Sequence, residues 1–150
     1  MELHHEFLLR ARVEPPFEFG AGLRGQRIFF HVVEGSIAGE RLRGTLLPGG
    51  GDWLLAHPSG WGVIDVRIQL RTDDGALIYV HHHGLVEMNA TFTAAFANGR
   101  ATRFEDQYFR ITPRMETGDP RYAWVNHTLF VGEGRATEGP GVEYRVSRIA

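Results

Sequence analysis

Short segments rich in β-branched and aromatic residues alternate with glycine-containing breaks along the whole chain. Within residues 63–71, Val66, Ile68 and Leu70 alternate with charged and amide side chains. A period of two is typical of strands, because successive side chains of a strand point to opposite faces. This pattern predicts nine strands, which cover residues 5–13, 27–34, 40–47, 52–56, 63–71, 76–83, 108–115, 122–131 and 142–149.

The clearest pair of strands is 63–71 with 76–83, joined by Thr72-Asp73-Asp74-Gly75. An Asp-Gly pair favours a tight hairpin turn, because glycine readily adopts the positive φ that such a turn requires. Only residues 91–98 predict a helix, with three apolar side chains on one face and Asn98-Gly99 as its stop. We expect this short helix to plug one mouth of a barrel.

The fold class predicted is all-β. Eight or nine antiparallel strands in one small chain favour a closed barrel, since closure removes exposed strand edges. A length of 150 residues needs only one domain, and the glycine-rich stretch at residues 47–52 is too short to be a linker. We therefore predict a single-domain, closed antiparallel β-barrel of about eight to nine strands with one short helix, covering residues 1–150.

The composition disfavours several classes of partner. The hydrophobic fraction is 43%, and the net charge of −2 provides no field that would gather phosphate backbones or anionic lipid. No apolar run approaches a membrane span, and the first residues lack the plan of a secretory signal, so a cytoplasmic protein is expected. The absence of cysteine removes thiolate catalysis and cysteine-ligated metal centres.

The alternation leaves open which strand face lines the barrel. Asp65 and Arg67 share one face of their strand, which is either a solvated surface or the wall of a polar lumen. The same two interpretations apply to two further sets of alternating polar residues, which are Tyr108, Arg110 and Thr112, and Trp124, Asn126 and Thr128.

Four motifs follow one another in the order seen in a known family. They are Leu42-Arg43-Gly44-x-x-Leu47-Pro48-Gly49-Gly50-x-Asp52-Trp53, Arg71-Thr72-Asp73-Asp74-Gly75-Ala76-Leu77-Ile78-Tyr79-Val80, Tyr108-Phe109-Arg110-x-Thr112-Pro113-Arg114-x-Glu116-Thr117-Gly118 and Pro120-Arg121-Tyr122-x-Trp124-x-Asn126-x-Thr128-Leu129-Phe130-Val131-Gly132. They resemble the bacterial and fungal family known as domain of unknown function 3237. The resemblance covers nearly the whole chain and implies a compact, often oligomeric β-barrel without an established general reaction.

One stretch departs from the family pattern. Where relatives tend to have Tyr-Val-Arg-Asn-Arg-Gly, this chain has Tyr79-Val80-His81-His82-His83-Gly84. Any function that depends on these three histidines would be specific to this protein and not shared by the family.

The motifs contain more ionisable and hydrogen-bonding groups than a barrel needs in order to fold. As catalytic candidates, Glu116 or Asp65 would serve as general base and Tyr79 as acid. The candidate ligand-binding residues are Arg110, Asp52, Tyr108, Trp124 and Asn126.

Arg110 and Glu116 are the pair on which the site prediction depends most. Arg110 would orient a carboxylate or enolate oxygen, and Pro113 would bend the strand so that Glu116 returns toward the same cavity. The alternative is that Arg110 and Glu116 form a salt bridge between neighbouring strands.

A second pattern, Gly75-x5-His81-x-His83-x3-Glu87, matches the first half of the cupin metal motif. Two histidines on one strand face and a returning carboxylate form a ligand set that suits iron, manganese or zinc. The second cupin motif is missing, however, and His82 points away from the other two. No metal or cofactor is predicted, and His81, His83 and Glu87 stay as the alternative.

Together these features predict a small-molecule-binding barrel that performs cofactor-free acid-base chemistry, such as isomerisation, cyclisation or lyase action on an apolar or carboxylated metabolite. The alternatives are a non-catalytic binding module and a cupin-like metal enzyme. Residues 27–33 are apolar on both strand faces, and one small barrel has only one interior, so we also expect a homodimer or higher homo-oligomer.

Overall fold

The computed structural model describes residues Met1–Ala150 and contains nine strands and one α-helix. The strands are β1 (Leu3–Val13), β2 (Phe17–Gly22), β3 (Gly25–Gly39), β4 (Arg43–Ala56), β5 (Trp61–Thr72), β6 (Leu77–Glu87), β7 (Phe109–Glu116), β8 (Phe130–Thr137) and β9 (Gly141–Ile149). The helix α1 (Ala90–Ala97) joins β6 to β7, and short 3-10 segments cover Phe104–Asp106 and Pro120–His127.

Eight of the strands form a closed antiparallel barrel. Their order is β1-β9-β8-β7-β6-β5-β4-β3, and the pairing of β1 with β3 closes the ring. The ninth strand, β2, pairs only with β3 and lies outside the ring as a ribbon. The predicted fold class is therefore confirmed.

The hairpin of β5 and β6 has the predicted pairing. Its register runs without a shift from the pair Trp61–Glu87 to the pair Arg71–Leu77. Gly75 has a φ of +95°, which is the positive value expected of the Asp-Gly turn. Consequently Asp65 lies opposite His83, and Arg67 lies opposite His81.

The predicted strands 40–47 and 52–56 are one long strand, β4, which was wrongly divided. The pairing with β5 shifts between Leu47 and Gly51, which indicates a bulge at Pro48-Gly49-Gly50. Gly49 has a φ of +105°, a backbone conformation that side chains other than glycine rarely adopt. The glycines thus bend one strand and do not end it.

One other predicted strand was wrong, and one observed strand was missed. The segment 122–131 was predicted as a strand, but most of it belongs to the 3-10 segment Pro120–His127. Asp119 caps the start of this 3-10 segment, and Pro120 occupies its first turn. The neighbouring strand is β8, which begins only at Phe130. Strand β2 was not predicted, since its side chains are exposed and show no buried face.

The inward faces of the strands form a single apolar core. On β5 the side chains of Ile64, Val66, Ile68 and Leu70 are buried, whereas Arg67 is exposed. The polar face of β5, which was considered for the wall of a lumen, therefore points to the outside.

Helix α1 packs against the apolar core of the barrel through Phe92 and Phe96. The Asn89 side chain accepts a hydrogen bond from the Phe92 N–H at 2.9 Å and caps its start. Phe92 is buried against Phe109 in an edge-to-face contact. None of the helices has the length and hydropathy needed to cross a membrane.

Candidate functional site

The barrel encloses a cavity of about 80 Å³, and 16 of the 18 residues that line it are hydrophobic. Phe30, Met88, Phe96 and Val142 belong to the lining and are partly exposed, so they form the rim at which the cavity meets solvent. No arginine or lysine lines the cavity. Three ionisable side chains face this apolar space: Asp52, His82 and Tyr144.

His82 lies deepest among the three. His82 is only 1% exposed, and neither of its ring nitrogens has a hydrogen-bond partner in the protein. Burial is the main cause that lowers the pKa of His82 to about 3, and the neighbouring His81 and His83 act in the same direction. The ring is therefore neutral near pH 7, with one nitrogen able to donate and the other able to accept.

Asp52 lies on β4 after the bulge, where its carboxylate accepts a hydrogen bond from the Asp65 N–H at 3.2 Å. Burial is the main cause that raises the pKa of Asp52 to about 7. The hydrogen bond from Asp65 opposes this rise, the Asp65 charge adds to it, and Arg27 opposes it. Both protonation states of Asp52 are consequently populated near neutral pH.

Tyr144 lies on β9 and is 3% exposed. Its ring contacts His82 with ring centroids 5.2 Å apart, and it contacts Phe109 at the same centroid distance. Burial raises the pKa of Tyr144 well above its usual range, and the Asp52 charge raises it further. The phenol therefore stays protonated and can donate a hydrogen bond into the cavity.

The three groups differ in what each can do. Asp52 can take up or release a proton at neutral pH, whereas Tyr144 supplies a hydrogen-bond donor and His82 supplies a neutral donor and acceptor. Such a set can move a proton on a bound molecule and stabilise an oxygen atom that gains negative charge.

Among the predicted site residues, only Asp52 faces the cavity. Asp65 lies on the outer face of β5, where its carboxylate is 2.8 Å from His81 Nε2 and 3.8 Å from an Arg67 guanidinium nitrogen. The Arg67 and His81 contacts keep Asp65 within a surface network on the outside of the barrel. Burial acts to raise the pKa of Asp65, but the hydrogen bond from His81 and the Arg67 charge outweigh it and lower the pKa.

Arg110 and Glu116 are not brought together. Strand β7 keeps one register with β6 through Pro113, and its exposed positions alternate regularly, so both side chains stay on its outer face toward opposite ends. Arg110 donates a hydrogen bond to the Phe109 carbonyl at 3.0 Å, and its nearest carboxylate is Glu133, at 3.9 Å. The predicted return of Glu116 to a shared cavity was wrong, because the pairing of β7 with β6 continues through Pro113 and leaves Glu116 on the outer face.

The two tyrosine candidates also lie outside the cavity. Tyr79 lies on the outer face of β6, opposite both Gln69 and Glu116. Tyr108 precedes β7 and packs edge-to-face on Trp61, with the Arg110 guanidinium carbon 4.9 Å from its ring centroid.

Trp124 and Asn126 belong to the 3-10 turn Pro120–His127. Trp124 packs against Phe130 and under the Arg41 guanidinium, 3.9 Å from its ring centroid. Asn126 accepts a hydrogen bond from the Thr117 N–H and donates one to the Thr117 carbonyl, each at 2.9 Å. Both residues therefore hold a loop against the barrel.

The alternative metal set is only partly assembled. His81 and His83 lie side by side on the outer face of β6, with ring centroids 4.5 Å apart. The carboxylate that joins them is Asp65, not Glu87, which instead accepts a long hydrogen bond from the Tyr108 N–H at 3.4 Å.

Two of the three cavity groups were missed as functional candidates. His82 was predicted to point away from His81 and His83, and Tyr144 was assigned only to a strand. Both occupy an apolar face in the period-two pattern, between Val80 and Gly84 and between Val142 and Val146. A polar residue on an apolar strand face was the feature that could have identified them.

Fold and site together define a closed antiparallel β-barrel whose apolar cavity holds three ionisable side chains. The family model described as protein of unknown function (DUF3237) matches residues 1–149. The chain therefore belongs to the DUF3237 family, which confirms the resemblance of the four motifs.

The relatives include bacterial and fungal proteins. A UPF0311 protein of Clostridium acetobutylicum is 30% identical over 133 residues, which cover 87% of this chain and 84% of that protein. The crystal structure of a conserved protein of unknown function from Rhodopseudomonas palustris has a TM-score of 0.89 at 28% identity, covering 99% of this chain and 97% of that one. PR-toxin biosynthesis cluster protein 7 of Penicillium roqueforti is 29% identical over 104 residues, which cover 64% of this chain and 54% of that protein.

Proposed function

We propose that the barrel binds a compact, neutral and largely apolar molecule in its cavity and catalyses proton transfer on it. The observation that carries this proposal is a histidine without hydrogen-bond partners inside an apolar space. Both His82 ring nitrogens lack a partner in the protein. An unpaired buried polar group costs about 1–3 kcal/mol, so a functional use for it is favoured over a structural one.

The acid-base role falls to Asp52. A group whose pKa is about 7 is suited to accept a proton in one step and return it in another at neutral pH. In a carbonyl substrate, Asp52 would take a proton from the carbon next to the carbonyl. The electron pair of that C–H bond would form a new C=C bond, and the π electron pair of the carbonyl would move onto its oxygen to give an enolate. Tyr144 would donate a hydrogen bond to this enolate oxygen. Return of the proton to another atom completes an isomerisation.

The lining favours a neutral ligand over a carboxylated one. A carboxylate needs a cation or several donors in a buried site, and the cavity contains neither arginine nor lysine. The volume of about 80 Å³ is smaller than the roughly 150 Å³ that holds benzene in an engineered protein cavity. A ligand of the size of benzene or larger therefore requires the rim side chains Phe30, Met88 and Phe96 to move aside. The name of the P. roqueforti relative associates that protein with toxin biosynthesis and supports a metabolite as ligand.

Cyclopentanone in D₂O tests the proposal, because its α-protons exchange when a base removes them. Binding is followed by chemical-shift changes of amide signals, and exchange by loss of the α-proton NMR signal. We expect the wild-type barrel to accelerate exchange, and Asp52→Asn to reduce the acceleration by a factor of about 10²–10⁴, the usual contribution of a general base. Glu116→Gln, a carboxylate change on the outer face, serves as the control and should exchange like the wild type.

The outcomes separate catalysis in the cavity from binding alone. Binding of cyclopentanone without accelerated exchange would support a non-catalytic binding module. Acceleration that persists in Asp52→Asn would contradict the role of Asp52, and the absence of both binding and exchange would contradict the cavity proposal for this class of ligand.

We also propose that the barrel forms a homodimer. Large apolar side chains remain exposed on the outside, among them Phe17 at 66% and Phe19 at 68% on the β2 ribbon. Exposed aromatic clusters of this kind favour association with another surface. Sedimentation at micromolar concentration should give twice the 16.9 kDa chain mass, and a monomer mass would contradict the proposal.

A further inference from the structure

The outer face of the β5–β6 hairpin brings together one carboxylate and two imidazoles. His81 Nε2 is 2.8 Å from Asp65 Oδ1, and the His81 and His83 ring centroids are 4.5 Å apart. One ligand atom from each residue can be chosen so that all three lie within 4.8 Å of one another. We infer that Asp65, His81 and His83 form a binding site for a divalent transition-metal ion on the outside of the barrel.

The backbone holds the three ligands on a fixed frame. Asp65 is paired directly with His83, and His81 is two residues along the same face of β6. The ladder between β5 and β6 has no register shift, so the Cβ positions of the ligands are set by regular strand geometry. Tetrahedral coordination with metal–nitrogen bonds of about 2.0–2.1 Å places ligand atoms roughly 3.3 Å apart. The Asp65–His81 pair must therefore open from 2.8 Å, and ligand atoms that lie farther apart must close in. His83 is exposed and makes no side-chain hydrogen bond, so it is free to rotate into place.

The type of ligand selects the type of metal. Two imidazoles and one carboxylate suit Zn²⁺, Co²⁺, Ni²⁺ or Cu²⁺, whereas Mg²⁺ and Ca²⁺ prefer sites made of oxygen atoms alone. Three protein ligands also leave at least one coordination position for water or a second molecule.

Nearby charges limit the affinity. The Arg67 guanidinium is 3.8 Å from the Asp65 carboxylate, and Arg114 lies opposite His81 on β7. Both arginines repel a cation, but Arg67 is half exposed and can turn toward solvent when the ion binds. Removing the Arg67 charge should therefore strengthen metal binding, which distinguishes this site from a chance contact of histidines elsewhere.

The site is separate from the cavity, because His82 is the only histidine of the three that points inward. The inference therefore holds whether or not the cavity is catalytic.

Calorimetric titration of tag-free protein, stripped with chelator, with Zn²⁺ and with Ni²⁺ tests the site. We expect one ion per chain. His83→Gln and Asp65→Asn should each weaken binding at least tenfold, and Arg67→Gln should strengthen it. His83→Gln is the cleanest change, since no hydrogen bond of the fold involves that side chain.

Two control variants are available in the same chain. His57→Gln alters an exposed histidine of the β4–β5 turn, and Glu87→Gln alters the carboxylate of the cupin-like pattern. Both should bind the ions as the wild type does. Visible absorption of the Co²⁺-loaded protein gives a second readout, because replacing an imidazole ligand shifts and weakens the d–d bands.

Two results would overturn the inference. One is a wild-type protein that takes up neither Zn²⁺ nor Ni²⁺ at concentrations up to 100-fold above the protein. The other is binding that is unchanged in both His83→Gln and Asp65→Asn, which would place the ion elsewhere on the chain.

Discussion

Polar residues on the inner and outer faces of the β5–β6 hairpin differ in their hydrogen-bond partners and in their exposure to water. On the outer face, Asp65, Arg67 and His81 contact one another and are reached by water. On the inner face, His82 lies among apolar side chains, and its ring nitrogens have no partner in the protein. A polar group on the outer face costs little folding free energy, whereas an unpaired polar group on the inner face lowers the stability of the fold. The inner group is therefore the stronger indication of function.

The sharpest test of this difference is a matched pair of substitutions at adjacent positions. Leu70 is 0% exposed on the inner face, and Gln69 lies exposed on the outer face. Leu70→Ala should lower the free energy of unfolding by about 2–5 kcal/mol because it leaves a void in the core. Gln69→Ala should change it by about 0.5 kcal/mol or less. Urea denaturation measures both, and equal losses would show that the two faces do not differ as described.

The next largest effect is expected at His82. His82→Phe replaces two unpaired nitrogens with apolar atoms and should raise the free energy of unfolding by about 1–3 kcal/mol at pH 7. The extra ring volume is directed at the cavity, which His82 lines.

The pH dependence gives this substitution a second readout. Below pH 6.5 the unfolded chain takes up a proton on His82 that the folded chain takes up only near pH 3, so the wild type loses stability as the pH falls between these values. His82→Phe should remove that loss. Urea denaturation at several pH values between 3 and 7 would contradict the burial of His82 if the two proteins kept the same slope.

Asp52 should act with the opposite sign. Its folded pKa of about 7 lies above the ordinary value of 3.8, so the folded chain holds a proton that the unfolded chain has released between these values. This contribution to stability is complete below pH 3.8 and is lost as the pH rises to 7. Asp52→Asn should therefore match the wild type near pH 4 and become progressively more stable than the wild type as the pH rises to 7. A difference that is largest at low pH would contradict this assignment.

The β5–β6 hairpin shows which features of the fold and site could be predicted from the sequence. Alternation predicted that His82 opposes His81 and His83, and the Asp-Gly turn predicted the hairpin register. Alternation alone does not show which face is inside, because that depends on how the ring closes between β1 and β3. The candidates Asp65, Tyr79 and Arg110 were therefore chosen from the faces that turned out to be external.

Amino-acid composition led to wrong secondary-structure predictions in two other segments. Residues 122–131 are rich in aromatic and β-branched residues, but the cap at Asp119 and the bond from the Tyr122 hydroxyl to Asp74 Oδ1, at 2.7 Å, hold a turn there. The glycines after Pro48 indicated a break, whereas the paired neighbours on both sides carry β4 through a bulge. In both cases contacts distant in sequence decide the local structure.

The smallest effect is predicted for the pair Arg110 and Glu116. Both are exposed, and the only carboxylate that Arg110 contacts is Glu133, at a long distance, so Arg110→Met should change the free energy of unfolding by about 0–0.5 kcal/mol. Combining it with Glu116→Gln should give the sum of the single effects, because the two residues do not touch. Thermal melts of the two single variants and the double variant measure this coupling, and a large loss in Arg110→Met that the double variant recovers would instead show a structural ion pair.

The β2 ribbon lies beyond the ring, which is closed by hydrogen bonds between β1 and β3. Its tip connects Gly22 to Gly25 through two exposed residues, Leu23 and Arg24. Loop tips of this kind are the places where proteins accept inserted sequence most readily. The tip is therefore a suitable position for grafting a peptide epitope or a second domain, since the addition would leave the hydrogen bonds of the barrel ring intact.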